Sequence, residues 1–326
     1  MKKMYLLFSV LLSAIVLVSC NTPGGKTPGG EDTSGGGEIT GKLVKSIKMV
    51  ETGEEAYPTI MEFTYDDQKR MSKIAYDLYS DVDEGSTEKK EKIAAEMAFT
   101  YASDKITVEN KANGAVYNTS TMIIGADGLI SQIDNPYEGE DKVVFEYADK
   151  KISKVTYSGI METVESDSEG NEQIVENHYT EVVVPQWNGK GVTKITVTET
   201  REGEEKRESI TVDEFKYSNI ANKANIDANG MTAGGYGMGQ LFGNQGMMVN
   251  RIGDRTEYLI SEVSSTYFYT YNENEQKSYV GEICTYTYTT DKDGNVTKIS
   301  YVEKNFDTDG KVIDEDTGTI EVTYID

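Results

Sequence analysis

Histidine is almost missing from this chain: His178 is the only one, and tryptophan also occurs once, at Trp187. The single histidine lies in an acid-rich arm, Glu176 to Glu181, that reads as a solvated strand face, so the usual proton shuttle of an enzyme has no partner nearby. No G-x-S-x-G, H-E-x-x-H, C-x-x-C or phosphate-cradling glycine loop is present. The reading is therefore that the chain is not an enzyme. Cysteine occurs twice, at Cys20 and Cys284, and proline five times. Basic residues are also in deficit, 32 against 56 acids, for a formal net charge of −24. A field of that sign repels phosphate backbones and anionic headgroups, which excludes nucleic acid as a partner and leaves cations, basic partners and neutral ligands.

What is abundant is tyrosine, 22 residues against 8 phenylalanines. Tyrosine favours strands and keeps its hydroxyl wet while its ring packs, so the expectation is an all-β protein. From Lys42 onward, alternating segments are broken by turn clusters at short intervals. Expected strands include Thr59 to Tyr65, Met71 to Leu78, Ala94 to Tyr101, Val116 to Ile124, Ile152 to Tyr157, Ile210 to Tyr217, Tyr258 to Tyr271 and Lys277 to Thr290. The pieces EFTYDDQKRMSKIAY, VFEYADKKISKVTY, WNGKGVTKITVT and YTYTTDKDGNVTKISY share an alternating arm, a polar turn and a lysine followed by Ile or Val. The fold class expected is an antiparallel meander of hairpins forming a sandwich or curved half-barrel, with one long Gly/Met-rich insertion.

The start of the chain carries its own signal. Lys2 and Lys3 precede an apolar run from Met4 to Val16, followed by Leu17-Val18-Ser19-Cys20. This resembles a bacterial lipoprotein signal peptide with its lipobox, which implies cleavage before Cys20 and lipidation there. Loss of residues 1–19 removes two lysines and no acid, deepening the charge from −24 to −26. The partner implied is a membrane, reached through the lipid on Cys20. Asn21 after that cysteine leans, by resemblance to lipoprotein sorting rules, toward the outer membrane. Residues 21–41 are low in complexity and read as a flexible tether, spanning about 25 Å as a glycine-rich coil.

The division expected is signal peptide 1–19, lipidated cysteine and tether 20–41, a first β group 42–217, a connector or lid 218–256, and a C-terminal β group 257–326 making one domain with the first. The glycine-dense stretch carries Met231, Met238, Met247, Met248, Tyr236 and Phe242. It reads first as a connector between groups of strands, and second as an adaptable apolar lid over one end of the sheet.

The hairpin TYDDQKRMSKI resembles the tyrosine-aspartate (YD) repeat of Rhs-type proteins, with Lys69 where that pattern has glycine. A closer resemblance is to β-rich lipoproteins of Gram-negative gut bacteria classed as domains of unknown function. It rests on the lipobox and polar tether, the YD-like hairpins, the Tyr217-x-x-x-Ala221-Asn222-Lys223-x-Asn225-Ile226-Asp227 segment and the closing DKDGNVTKI hairpin. It implies an envelope location and no particular activity.

Three candidate sites follow. Asn305, Asp307, Asp309 and Asp316, with Gly310, approach the spacing of an EF-hand loop and make calcium the one candidate cofactor. The same Asp-x-Asp-Gly is what a tight turn requires. Trp187, Tyr236 and Phe242 are candidate ligand-binding aromatics. Tyrosines such as Tyr267, Tyr286, Tyr288 and Tyr301 either stack on ligands or form a half-wet core. The function expected is a non-catalytic envelope lipoprotein that binds a glycan or an envelope protein, or serves structurally. The alternatives are an open-barrel carrier of a hydrophobic ligand and a carboxylate-dependent glycosidase.

Overall fold

In the computed structural model the described residues are 42–52, 57–81, 90–136, 141–166, 172–189, 191–202, 207–223, 229, 251–272 and 275–325. Cys20, Tyr236 and Phe242 lie outside them. Sixteen strands follow one another: β1 Val44–Glu51, β2 Thr59–Tyr65, β3 Met71–Asp81, β4 Lys90–Tyr101, β5 Lys105–Ala112, β6 Ala115–Ile124, β7 Ile130–Asp134 and β8 Lys142–Ala148. The second half is β9 Lys151–Ser166, β10 Glu172–Asn188, β11 Gly191–Glu202, β12 Arg207–Ala221, β13 Tyr258–Asn272, β14 Glu275–Thr290, β15 Val296–Phe306 and β16 Val312–Tyr324.

Each strand pairs antiparallel with the next, and β1 pairs with β16, from Val44 opposite Tyr324 to Glu51 opposite Gly318. The expected meander is therefore present, but it closes into a barrel and is neither an open half-barrel nor two separate sheets. Closure leaves no edge strand along the shared wall. A circular tube of this strand number holds an aqueous channel. Here Ile47, Ile74, Ile106, Met122, Ile152, Val155, Ile195, Ile299 and Ile320 all point inward and are 0% exposed. These side chains belong to one buried cluster drawn from strands all round the wall, so the interior is packed where an open channel would leave them exposed.

The outward face is mainly polar, with Ile60, Ile123, Val184 and Val280 scattered on it. Lys48, Glu62, Thr64, Lys298, Glu321 and Thr323 are exposed, and ion pairs join Lys154 to Glu146 at 2.9 Å and Lys216 to Glu262 at 2.7 Å. The lysine before each Ile or Val of the sequence repeat explains the pattern. Ile74, Val155, Ile195 and Ile299 are fully buried, so Lys73, Lys154, Lys194 and Lys298, one residue earlier, face the other way.

One turn recurs with the same bonds. At 66–70, 125–129, 291–295 and 307–311 the first amide donates to the fifth carbonyl and the fourth amide to the first carbonyl. The fourth residue sits at positive φ: Lys69 at 61°, Gly128 at 79°, Gly294 at 82° and Gly310 at 77°. Lys69 thus occupies the left-handed position for which glycine is suited.

Candidate functional site

The two rims of the barrel differ in chemistry. Call the rim where β1 begins the near rim and the opposite one the far rim. Towards the near-rim end of every even-numbered strand but β6, an aromatic residue donates to the carbonyl of a core residue at or close to the start of the strand before it. Tyr65 reaches Val44 (2.7 Å), Tyr101 Met71 (2.8 Å), Tyr147 Ile130 (2.7 Å) and Trp187 Ile152 (2.9 Å). Tyr217 reaches Val192 (2.6 Å), Tyr288 Ile260 (2.5 Å) and Tyr324 Val296 (2.6 Å). The eighth position, at the end of β6, is Ile124. Trp187 is thus placed in this girdle, half-buried, with Lys151 5.5 Å from its ring centre.

The near rim is also crossed by residues 251–257. Arg251 accepts from the Ile130 amide at 2.7 Å, Asp254 donates to Lys150 at 2.7 Å, and Ile252 is buried in the core. Gly253, at φ 87°, passes so close that a Cβ would lie 2.1 Å from the Lys150 carbonyl oxygen. Buried Asn229 ties the other limb down: its amide donates to Thr256 Oγ1 at 2.8 Å and its oxygen accepts from the Ile260 amide at 2.6 Å. The described ends of the glycine-rich insertion thus bond across the near rim, and residues 224–228 and 230–250 between them lie outside the described residues.

At the far rim the inward positions turn acidic. Glu181 and Asp213 are buried, as is Asp141 just before β8, and Glu282 and Glu303 continue the inward series of β14 and β15. Tyrosines stand among them. Tyr179 donates to Asp141 Oδ1 at 3.2 Å, and Tyr267 and Tyr279 have ring centres 5.8 Å apart. Burial, with the Glu282 and Asp213 carboxylates adding to it, pushes the Tyr267 hydroxyl up to about 12. Burial raises Glu303 as well; the Asn305 hydrogen bond acts the other way, and the charges of Asp316, Glu51 and Asp314 add to the rise. Burial likewise raises Asp141, against the Tyr179 hydroxyl.

Glycine makes room for these rings. A Cβ on Gly318 would lie 2.3 Å from Tyr301 Oη, on Gly281 2.0 Å from the Tyr267 ring, and on Gly159 1.8 Å from Asp141 Oδ1. Tyr301 and Gly318 are direct cross-strand partners, as are Tyr179 and Gly159.

The candidate calcium residues are engaged otherwise or spread apart. Asp307 Oδ1 accepts from the amides of Asp309 and Lys311, at 3.0 and 2.9 Å, and so closes its own turn. Asn305 donates to Glu303, and Asp316 lies opposite Glu303 in the ladder. Among the described residues no three His, Cys, Asp or Glu side chains are grouped to hold a metal ion. Tyr286 and Tyr301 are core residues, and Cys284 is buried beside them. His178 is exposed, opposite Glu202 and Ile160.

No motif marks the far-rim carboxylates in the sequence, where acids read equally well as solvated turn residues. Their signal is phase: Glu282 falls in step with Cys284, Tyr286 and Tyr288, Asp213 with Phe215 and Tyr217, and Glu181 with Val183 and Trp187.

The class these features define is a closed sixteen-stranded antiparallel barrel with an apolar packed interior. No family model matches the chain, and no curated protein matches it. Among solved structures it is similar to a porin-like protein from Bacteroides uniformis ATCC 8492, at 14% identity and a TM-score of 0.53, over 86% of this chain and 98% of that one. A porin-like protein from Bacteroides vulgatus ATCC 8482 is also similar, at 14% identity and a TM-score of 0.47, with the same coverage. The first of these likenesses shows the fold. It fits the β-rich character of the sequence resemblance, and it extends to the closed barrel.

Proposed function

We propose that this is a non-catalytic envelope protein, lipid-anchored through Cys20 to the outer membrane, whose barrel stands in water and binds its ligand at the far rim. The observation that carries the reading is the direction of the side chains. A barrel that spans lipid turns an apolar band outward and keeps its interior polar. This one buries Ile, Val, Met and Phe inside and shows lysine, glutamate and threonine outside. Charged positions on a lipid face cost about 2–4 kcal/mol each at the bilayer midplane, so Lys48, Glu62, Lys298 and Glu321 together oppose insertion.

The tether of residues 21–41 leads to the near rim, which strap 251–257 covers. The far rim then faces away from the anchor and offers tyrosines and carboxylates. That chemistry suits hydrogen-bonding to a sugar or pairing with a basic protein surface. The packed apolar interior does not favour a carrier of hydrophobic ligand, since its large side chains meet with no exposure.

The test is a glycan array and an envelope-extract pull-down with protein lacking residues 1–20, run beside Tyr179→Ala and Tyr267→Ala. Specific retention that falls in both variants supports the far rim. Retention unchanged in both, or none with any form, contradicts it.

A further inference from the structure

The wall of the barrel is not level at the far rim. Pairing of β8 with β9 ends at Lys142 opposite Ser158, yet β9 runs on to Ser166. Pairing of β10 with β11 ends at His178 opposite Glu202, yet β10 begins at Glu172. The excess strands pair only with each other, from His178 opposite Ile160 to Glu172 opposite Ser166. A two-stranded ribbon therefore rises above the rim, and among the described residues no strand pairs with either of its sides. A two-stranded ribbon is marginal in water without a third strand or a packed face, and an unpaired edge is a template for another strand.

Its sequence opposes the ribbon further. Residues 159–178 hold Glu162, Glu165, Asp167, Glu169, Glu172 and Glu176 and no lysine or arginine. Glu162 and Glu176 occupy directly opposed positions in the ladder. Like charges so placed are destabilising, and a cationic neighbour reverses the sign. A second copy of this chain would bring the same charges and is disfavoured. At the foot of the β9 edge, where β8 stops, the Asp141 carboxylate lies over Gly159.

We infer that the free edge of β9, Gly159 to Ser166, receives an extended, lysine- or arginine-bearing segment of a partner protein, which adds as a strand in line with β8. Main-chain bonds supply the ladder, and the ribbon's acids select the charge. The inference rests on the far rim being the binding face and names the chemistry of its partner.

The probe is a blocked peptide of about ten alternating lysine and threonine residues, long enough for one strand, against its glutamate-threonine counterpart. Full chain purified in mild detergent is titrated by fluorescence anisotropy, with amide exchange on the complex. Two variants accompany it. One replaces residues 161–177 with Asn-Gly, which closes a two-residue hairpin between Ile160 and His178. The other keeps the ribbon but carries Glu162→Gln, Glu165→Gln, Glu172→Gln and Glu176→Gln.

The expected result is binding of the lysine peptide alone, weakened about tenfold or more by either variant and by added salt, with slowed exchange at Gly159 to Ser166. Equal binding of both peptides, slowed exchange elsewhere, or no binding overturns it. Lysine-peptide binding that survives in the shortened chain but is lost in Glu181→Gln with Glu282→Gln removes the ribbon edge and leaves the far-rim reading standing.

Discussion

Tyr324, in the last strand, donates its hydroxyl to the carbonyl of Val296, the first residue of the strand before it, at 2.6 Å. The same bond recurs round the near rim, so a local rule of the hairpin becomes a ring that fixes the start of every odd strand but β5. The donors are half-buried and the acceptors belong to core residues, so removing one leaves a carbonyl poorly served. Tyr147→Phe should cost about 1 kcal/mol, with a range of roughly 0.5–1.5. Thermal unfolding should fall by about 2–4 °C, and Ile124, which makes no such bond, supplies the control through Ile124→Val.

The Tyr301 ring lies on Gly318, its cross-strand partner, where a Cβ would be 2.3 Å from the hydroxyl and 2.4 Å from Cζ. Gly318→Ala forces the ring to move and should cost about 1–3 kcal/mol as overpacking does. Combining it with Tyr301→Ala should recover part of that loss. A double-mutant cycle by denaturant unfolding reads the coupling, and additive losses would show that ring and glycine do not interact.

Lys69 holds a left-handed conformation that Gly128, Gly294 and Gly310 hold without strain in the same turn. Lys69→Gly should therefore be stabilising by up to about 1 kcal/mol, and Gly294→Ala destabilising by about 1–2 kcal/mol. Both are read from chemical denaturation midpoints. In this turn the Asp66 and Asp291 carboxylates are held low. At Asp66 burial pulls the other way, but the hydrogen bonds and charge of Arg70 win. At Asp291 the side-chain and backbone bonds from Asn295 dominate.

Glu303 has the opposite sign. Its folded value is raised, by burial first and then by Asp316, Glu51 and Asp314. The folded state then binds the proton more tightly than the unfolded one, so stability falls as pH rises from the ordinary glutamate range through the raised value. Glu303→Gln should unfold at a higher temperature than the parent at pH 7 and at the same temperature near pH 3. A gain that persists at low pH would assign the effect to something other than charge.

Much of the wall was legible in the sequence because its signals are local. Alternation placed the strands, the Lys-Ile pairs told outside from inside, and the Asp-Gly clusters marked turns. Closure was not legible, since Ser46 and Thr323, 277 positions apart, share a hydrogen bond that nothing between them announces. At the Asp307 turn the sequence leaves two readings open, because a carboxylate that accepts two amides, as Asp307 does, and one that binds calcium share the same spacing. Trp187 looked exceptional by type, yet it fills the place that tyrosine fills elsewhere in the girdle. The crossing of the near rim depends on Ile252 and Gly253 reaching strands remote in sequence.

The central claim is that the barrel stands in water and only its anchor touches lipid. Placing a cleavage site for a specific protease within residues 21–41 and treating isolated outer membranes tests it directly. The account predicts that cleavage releases the folded barrel to the supernatant after sedimentation, with Trp187 emission unchanged. A barrel that stays with the membrane pellet after complete cleavage would contradict it.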